Sequence, residues 1–115
     1  MEEYPRRGAI YLVRLPNMPE DRKARPALVV SPDSRNRLAG EVIVVPLTTT
    51  LRRAPTHVEI LRAEGGLDAT SMAKCEQITT LDKRFLLRGP FSDRISTSQM
   101  RAVEQAILRA IGVPA

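Results

Sequence analysis

The chain has 115 residues and a formal charge of +5, with 43% apolar but only 3% aromatic residues. That is enough for one domain, residues 1–115, with an aliphatic core; with no Trp and only Tyr4, Tyr11, Phe85 and Phe91, few rings are available to stack on nucleic-acid bases. The single cysteine, Cys75, excludes an internal disulfide and a cysteine-based zinc site, and with no signal peptide and no apolar run longer than Val42 to Leu47 we expect a soluble, cytoplasmic protein.

Residues 7–15 read as a first strand, and residues 16–24, with Pro16, Pro19 and a run of charge, as a loop. Residues 25–31 and 41–48 are too apolar for strands with one wet face, so both are expected as central, buried strands. Between them Ser31 as N-cap and Pro32 at the first helical position predict a short helix that ends before Gly40. Residues 49–55 form a basic turn, and Thr56 to Ile60 alternates like a half-exposed strand. Gly65 and Gly66 mark a turn, and residues 70–79 read as a strand broken once. Several short strands at this spacing suggest a small barrel. The period then changes. Met100, Val103, Ile107 and Ile111 share a helical face, Ser96 and Gln99 fit a capping box, and Ile95 and Met100 a hydrophobic staple. Gly112 and Pro114 stop this helix, expected over about 97–111.

The charge is localised. Between positions 22 and 53, Arg22, Lys23, Arg25, Arg35, Arg37, Arg52 and Arg53 face only Asp33 and Glu41, which accounts for the whole excess. This is a field for an anionic partner. If the two buried strands are antiparallel neighbours, Arg25 at the start of one lies beside Thr48 at the end of the other. A guanidinium beside a hydroxyl can hold a phosphate. Other chemistries lack their residues. His57 is the sole histidine and reads as a structural, hydrogen-bonded side chain on a strand. There is no metal-ligand spacing, no phosphate-binding glycine loop and no nucleophile-elbow serine. What remains is metal-free phosphodiester chemistry on RNA, which brings its own 2′-OH nucleophile.

Four blocks of this sequence resemble the MazF/PemK toxin family, the endoribonucleases of type II toxin–antitoxin systems. They are Arg7 to Val13, Arg25 to Ser31, Val45 to Thr49 leading into Pro55 to Glu59, and Glu76 to Arg84. The resemblance implies a mainly β fold with α, an SH3-like small barrel of the MazF/PemK/CcdB type plus a C-terminal helix, and a homodimer. It puts the family's catalytic arginine on Arg25, its threonine on Thr48 and a loop acid on Glu20. The PemK-like active-site segment falls on Lys74-Cys75-Glu76-Gln77. The sequence departs from the family at Ala9, where an acid is usual, at Lys74, where arginine is usual, and in a loop before Arg25 without the usual glycines.

The expected activity is therefore a sequence-selective, metal-independent endoribonuclease that needs no cofactor and cleaves single-stranded RNA. Arg25 would stabilise the transition state, with proton donor or acceptor as its alternative role, and Thr48 hold the scissile phosphate. A guanidinium is a poor base, so Glu20 is the better-suited one. Arg22, Lys23, Arg35, Arg37, Thr49, Arg52, Arg53, Lys74, Glu76 and Gln77 are the candidate RNA contacts. A cognate antitoxin would offer an acidic, partly disordered segment to the same groove. The competing class is a non-enzymatic module of the same architecture, either a gyrase-poison-like toxin or a plain RNA-binding domain.

Overall fold

The computed structural model describes residues 3–15 and 23–115. Seven strands and two α-helices follow in the order β1 (Ile10–Val13), β2 (Arg25–Val29), α1 (Asp33–Leu38), β3 (Glu41–Thr48), β4 (His57–Ile60), β5 (Ser71–Lys74), β6 (Thr79–Asp82), β7 (Leu86–Arg88) and α2 (Thr97–Ala110). All strand pairings are antiparallel, in the order β4-β5-β3-β2-β1-β7, with β6 also on β3.

β3 organises the sheet. Along one flank it pairs with β2, Ala27 opposite Pro46 and Val29 opposite Val44. On its other flank its first half pairs with β6, Val42 opposite Leu81, and its end pairs with β5, Leu47 opposite Ala73. This change of partner curls the sheet into a barrel-like shape, as the sequence implied.

The two central strands lack alternation because each of their faces buries a separate cluster. Ile10, Leu28, Val45 and Leu47 pack with Val58, Ile60, Ala73 and Cys75 beneath Met100, Val103 and Ala106 of α2. The intervening Tyr11, Val13, Ala27, Val29, Val42 and Val44 pack with Leu15 and Leu81 on the other face. A large side chain in either cluster costs roughly 2–5 kcal/mol when cut to alanine.

Three expectations need correction. Ser31 does not cap α1; Pro32 occupies that position without a side-chain bond. Ser31 is buried instead, where its hydroxyl donates to Asn36 Oδ1 and accepts from the Ile43 amide, while Asn36 Nδ2 donates to the Ser31 carbonyl. A closed buried polar network outweighs an exposed cap. Ile111 is 66% exposed rather than on the packed face, because α2 ends at Ala110. The capping box is half formed. Ser96 Oγ accepts from the Gln99 amide, but the Ser96 amide is taken by Glu64 Oε1 at 2.9 Å and not by Gln99.

Glu64 can reach because the chain turns sharply beside it. Gly65 is left-handed, with φ +62°, and a Cβ there would lie 2.6 Å from Ile10 Cδ1. The turn expected at Gly65-Gly66 thus also needs glycine for close packing.

Candidate active site and nucleic-acid interface

Continuing the β2–β3 register two positions beyond Ala27 and Pro46 sets Arg25 opposite Thr48. Both side chains belong to the face that carries Val44 and Val29, and the sheet opens there into a small cleft. Its walls are Leu15, Arg25, Pro46, Leu47, Thr48, Lys74 and Gln77, and its volume is about 170 Å³. The sequence expectation of one rim bearing guanidinium and hydroxyl is met, and the fold adds an ammonium and an amide. The Thr50 amide donates to Thr48 Oγ1 at 3.2 Å, which leaves the Thr48 O–H to donate elsewhere.

A second cleft of about 340 Å³ adjoins the first and shares Thr48 and Lys74 with it. Thr50, Arg52, His57 and Glu76 complete its lining. The strand pairing His57 opposite Lys74 builds its floor. Cys75 to Gln77 form one tight helical turn pinned by the buried Cys75, and this brings Glu76 back against β4. Thr56 Oγ1 donates to Glu76 Oε1 at 2.9 Å, and His57 Nε2 stands 3.2 Å from Glu76 Oε2. On its other side His57 Nδ1 lies 2.7 Å from the Arg52 carbonyl. The ring is thus held between two oxygens, the Arg52 carbonyl and the Glu76 carboxylate.

Burial alone would push the Glu76 carboxyl up. Hydrogen bonds from its backbone, from His57 and from Thr56, with the charge of His57, more than offset this and hold it below the ordinary glutamate value. Burial pushes the Cys75 thiol up to about 12, and the neighbouring Glu76 adds to the rise against a small opposing effect of Arg109. Cys75 is therefore an anchor for the turn and not a nucleophile.

The basic clusters separate. Lys23, Thr49, Arg52 and Arg53 are exposed at the Arg25–Thr48 end. Arg35 and Arg37 are on α1, between the end of β2 and the start of β3, and so at the opposite rim. The seven steps of β3 put them about 23 Å away. Arg35 and Arg37 thus do not flank Arg25 and Thr48, because the connection between two antiparallel strands lies at the far end from their outer termini. Glu20 and Arg22 lie outside the described residues.

His57 is, as expected, a hydrogen-bonded side chain on a strand, but one that also lines the second cleft. Its parity with the outward-facing Glu59 was legible, but its placement against Glu76 depends on the β4–β5 pairing. Among the described residues, no group of three His, Cys, Asp or Glu side chains could hold a metal ion, and no helix is long and apolar enough to cross a membrane. A larger cleft, about 580 Å³ between Leu12, Pro26, Arg88 and Phe91, has Asp68 and Arg88 as its only charged walls among the described residues. Chemistry rather than size selects the Arg25–Thr48 rim.

Comparison with known proteins identifies the family and the fold. The profile described as "PemK-like, MazF-like toxin of type II toxin-antitoxin system" matches residues 6–111. A protein of Staphylococcus saprophyticus named endoribonuclease MazF is 35% identical over 112 residues, covering 94% of this chain and 92% of its own. Among solved structures, an endoribonuclease in complex with its cognate antitoxin from a mycobacterial species has TM-score 0.81 at 32% identity, covering 96% of this chain and 98% of that one. The Mycobacterium tuberculosis toxin MazF-mt6 has TM-score 0.78 at 27% identity, covering 93% and 99%.

Proposed function

The chain belongs to the PemK-like, MazF-like toxins of type II toxin–antitoxin systems, and from that premise we propose that it is an endoribonuclease cutting single-stranded RNA at selected sequences through the RNA's own 2′-OH. The observation that carries the proposal is the convergence of Arg25, Thr48, Lys74 and Gln77 on one small cleft at a basic rim.

Attack by the 2′-oxygen forms a new P–O bond, breaks the P–O5′ bond so that the 5′ oxygen leaves as a hydroxyl on taking up a proton, and builds extra negative charge on the phosphorus-bound oxygens on the way. Arg25 and Lys74 supply the opposing charge, Arg25 with two parallel N–H donors. Thr48, with its oxygen already accepting from Thr50, donates its hydroxyl hydrogen to a phosphate oxygen and fixes the scissile group. Glu20 is the proposed base that takes the 2′ proton, on the strength of the family resemblance. Lys23, Arg52 and Arg53 guide the flanking backbone, Arg22 joins them, and Thr49, Glu76 and Gln77 contact the RNA near the cut. Arg35 and Arg37, at the far rim, act at most on the long-range field. No step requires a metal or a cofactor.

The mycobacterial relative was solved with its antitoxin. For this chain we propose an antitoxin whose acidic, partly disordered segment occupies the same groove, a homodimer as the working form, one domain over residues 1–115, and action in the cytoplasm.

Incubation with single-stranded RNA in excess chelator tests the activity. Cleavage that leaves a 2′,3′-cyclic phosphate, and that stops when the nucleotide at the cut is made 2′-deoxy, is the expected result. Retardation of intact RNA would support a binding module, and inhibited DNA supercoiling with intact RNA a gyrase poison. Cleavage of the deoxy chimera would overturn the mechanism.

A further inference from the structure

The second cleft carries a carboxylate that the phosphate chemistry does not use. Glu76 stands beside a site built for an anion, where a negative charge with no donor to accept from works against RNA binding. The fold nevertheless holds it in place from two sides. Thr56 donates to one carboxylate oxygen at 2.9 Å and His57 approaches the other at 3.2 Å. The histidine is itself held, its other nitrogen 2.7 Å from the Arg52 carbonyl. Its side chain is 10% exposed, while that of Glu76 stays 38% exposed on the cleft.

A carboxylate offers about four lone-pair sites. One donor on each oxygen leaves acceptor capacity directed at the cleft. Phosphate oxygens cannot use it, because they have no hydrogen to give. The Watson–Crick edge of a base can, through its amino or imino N–H. A glutamate free to change rotamer would accept from many partners in many positions, whereas one fixed at both oxygens discriminates by geometry.

We propose that His57 is a positioning residue that, together with Thr56, fixes the Glu76 carboxylate as the hydrogen-bond acceptor reading the N–H edge of one RNA base in the cleft next to the scissile phosphate. The inference rests on the ribonuclease reading and adds to it a source of sequence selectivity. Arg25 and Lys74 hold the phosphate on one side, and Glu76 receives the neighbouring base on the other. His57 touches no substrate and acts through Glu76 alone.

Two conservative variants separate this role from a merely structural one. In His57→Gln the amide nitrogen can take the place of Nε2 and keep the bond to Glu76, while the tie to Arg52 is lost. In His57→Asn the amide can replace Nδ1 and keep the tie to Arg52, while the bond to Glu76 is lost. Each variant, with Thr56→Val, is assayed for kcat/KM on the RNA that wild type cuts best and on RNAs altered singly at the bases flanking the cut.

His57→Asn is expected to lower discrimination at one flanking base on the order of tenfold, the scale of one good base contact. His57→Gln is expected to retain most of it, and Thr56→Val to lower it at the same base. The reverse order, Asn retaining and Gln losing, would show that His57 only ties the turn to the sheet. Wild-type discrimination in all three variants would overturn the proposal. Should both His57 variants fail to fold by circular dichroism, Thr56→Val decides it, unchanged discrimination overturning the idea. A wild-type protein that cuts RNA without flanking-base preference refutes this inference and the selectivity it accounts for, and leaves the ribonuclease reading standing. One that does not cut RNA refutes the ribonuclease reading and this inference with it.

Discussion

Replacing Arg25 by alanine is expected to slow RNA cleavage by two to three orders of magnitude while leaving the fold intact. The side chain is exposed at the first residue of β2, paired across the sheet with Val13, and belongs to neither buried cluster. Its loss should change stability by no more than about 1 kcal/mol, the scale of an exposed polar or ionic contact. The catalytic effect depends on how well water screens the guanidinium from the phosphate. Two unit charges about 4 Å apart attract by about 1 kcal/mol in bulk water and by about 4 kcal/mol near a protein surface. The cleft is small and has Leu15, Pro46 and Leu47 as apolar walls, so the second regime applies. Removing a preorganised donor in such a setting costs about 2.7–4 kcal/mol, or roughly 10² to 10³ in rate. Arg25→Lys keeps the charge but not the paired donors and should fall between alanine and wild type. Single-turnover cleavage of a fluorogenic RNA measures the rates, and thermal melting confirms folding. A folded alanine variant within about fivefold of wild type would mean the charge is screened as in bulk water, and Arg25 would then lie outside the reacting site.

Reversing Arg52 and Arg53 to glutamate should slow association with RNA and with an acidic antitoxin peptide more than it speeds dissociation, because rim charges act on encounter. The same reversal at Arg35 and Arg37 should leave cleavage near normal at physiological salt, where a separation of about 23 Å far exceeds the Debye length of about 8 Å; stopped-flow binding and cleavage assays check both, and equal effects at the two ends would contradict the placement of α1. The Glu76 carboxyl is held below its ordinary value of 4.5, so its stabilising effect is present above that value and is lost as pH falls through the lower folded one. Chemical denaturation should therefore find wild type more stable than Glu76→Gln at neutral pH, with the gap closing below about pH 4.5; a gap independent of pH would refute the lowered carboxyl. Asn36→Ala strands the buried Ser31 carbonyl and hydroxyl, at about 1–3 kcal/mol for each group left unsatisfied, so melting should drop by several degrees while cleavage at the distant rim persists. An unchanged melting point would show that water replaces the amide.

The parts of the fold legible in the sequence were those set by local pattern. The unbroken apolar runs marked β2 and β3 as doubly buried, Ser96 with Gln99 placed the start of α2, and Gly65-Gly66 marked a turn. The residues of β7 were passed over, because Leu86 to Arg88 is too short to show a period and its strand character comes from pairing with β1. Ser31 was misassigned because N-cap chemistry and buried hydrogen bonding draw on the same residue types, and only tertiary contacts decide between them. In the site, Arg25 and Thr48 could be paired by assuming the commonest relation between neighbouring strands. His57 and Glu76 could not, since nothing local links residues nineteen positions apart.

The pairing of β1 with β7 has a consequence for when this protein becomes itself during synthesis. Leu12 lies opposite Arg88, and the face of the sheet bearing Ile10 and Leu28 is covered by Val103 and Ala106 of α2. Arg25, Thr48, Lys74 and Gln77 all leave the ribosome before those residues do. Until α2 emerges, however, the sheet that aligns them has one face bare to water. A growing chain therefore carries the site residues without the scaffold that holds them together. Completion of the last helix, and not synthesis of the site residues, is the step that covers the sheet holding them together.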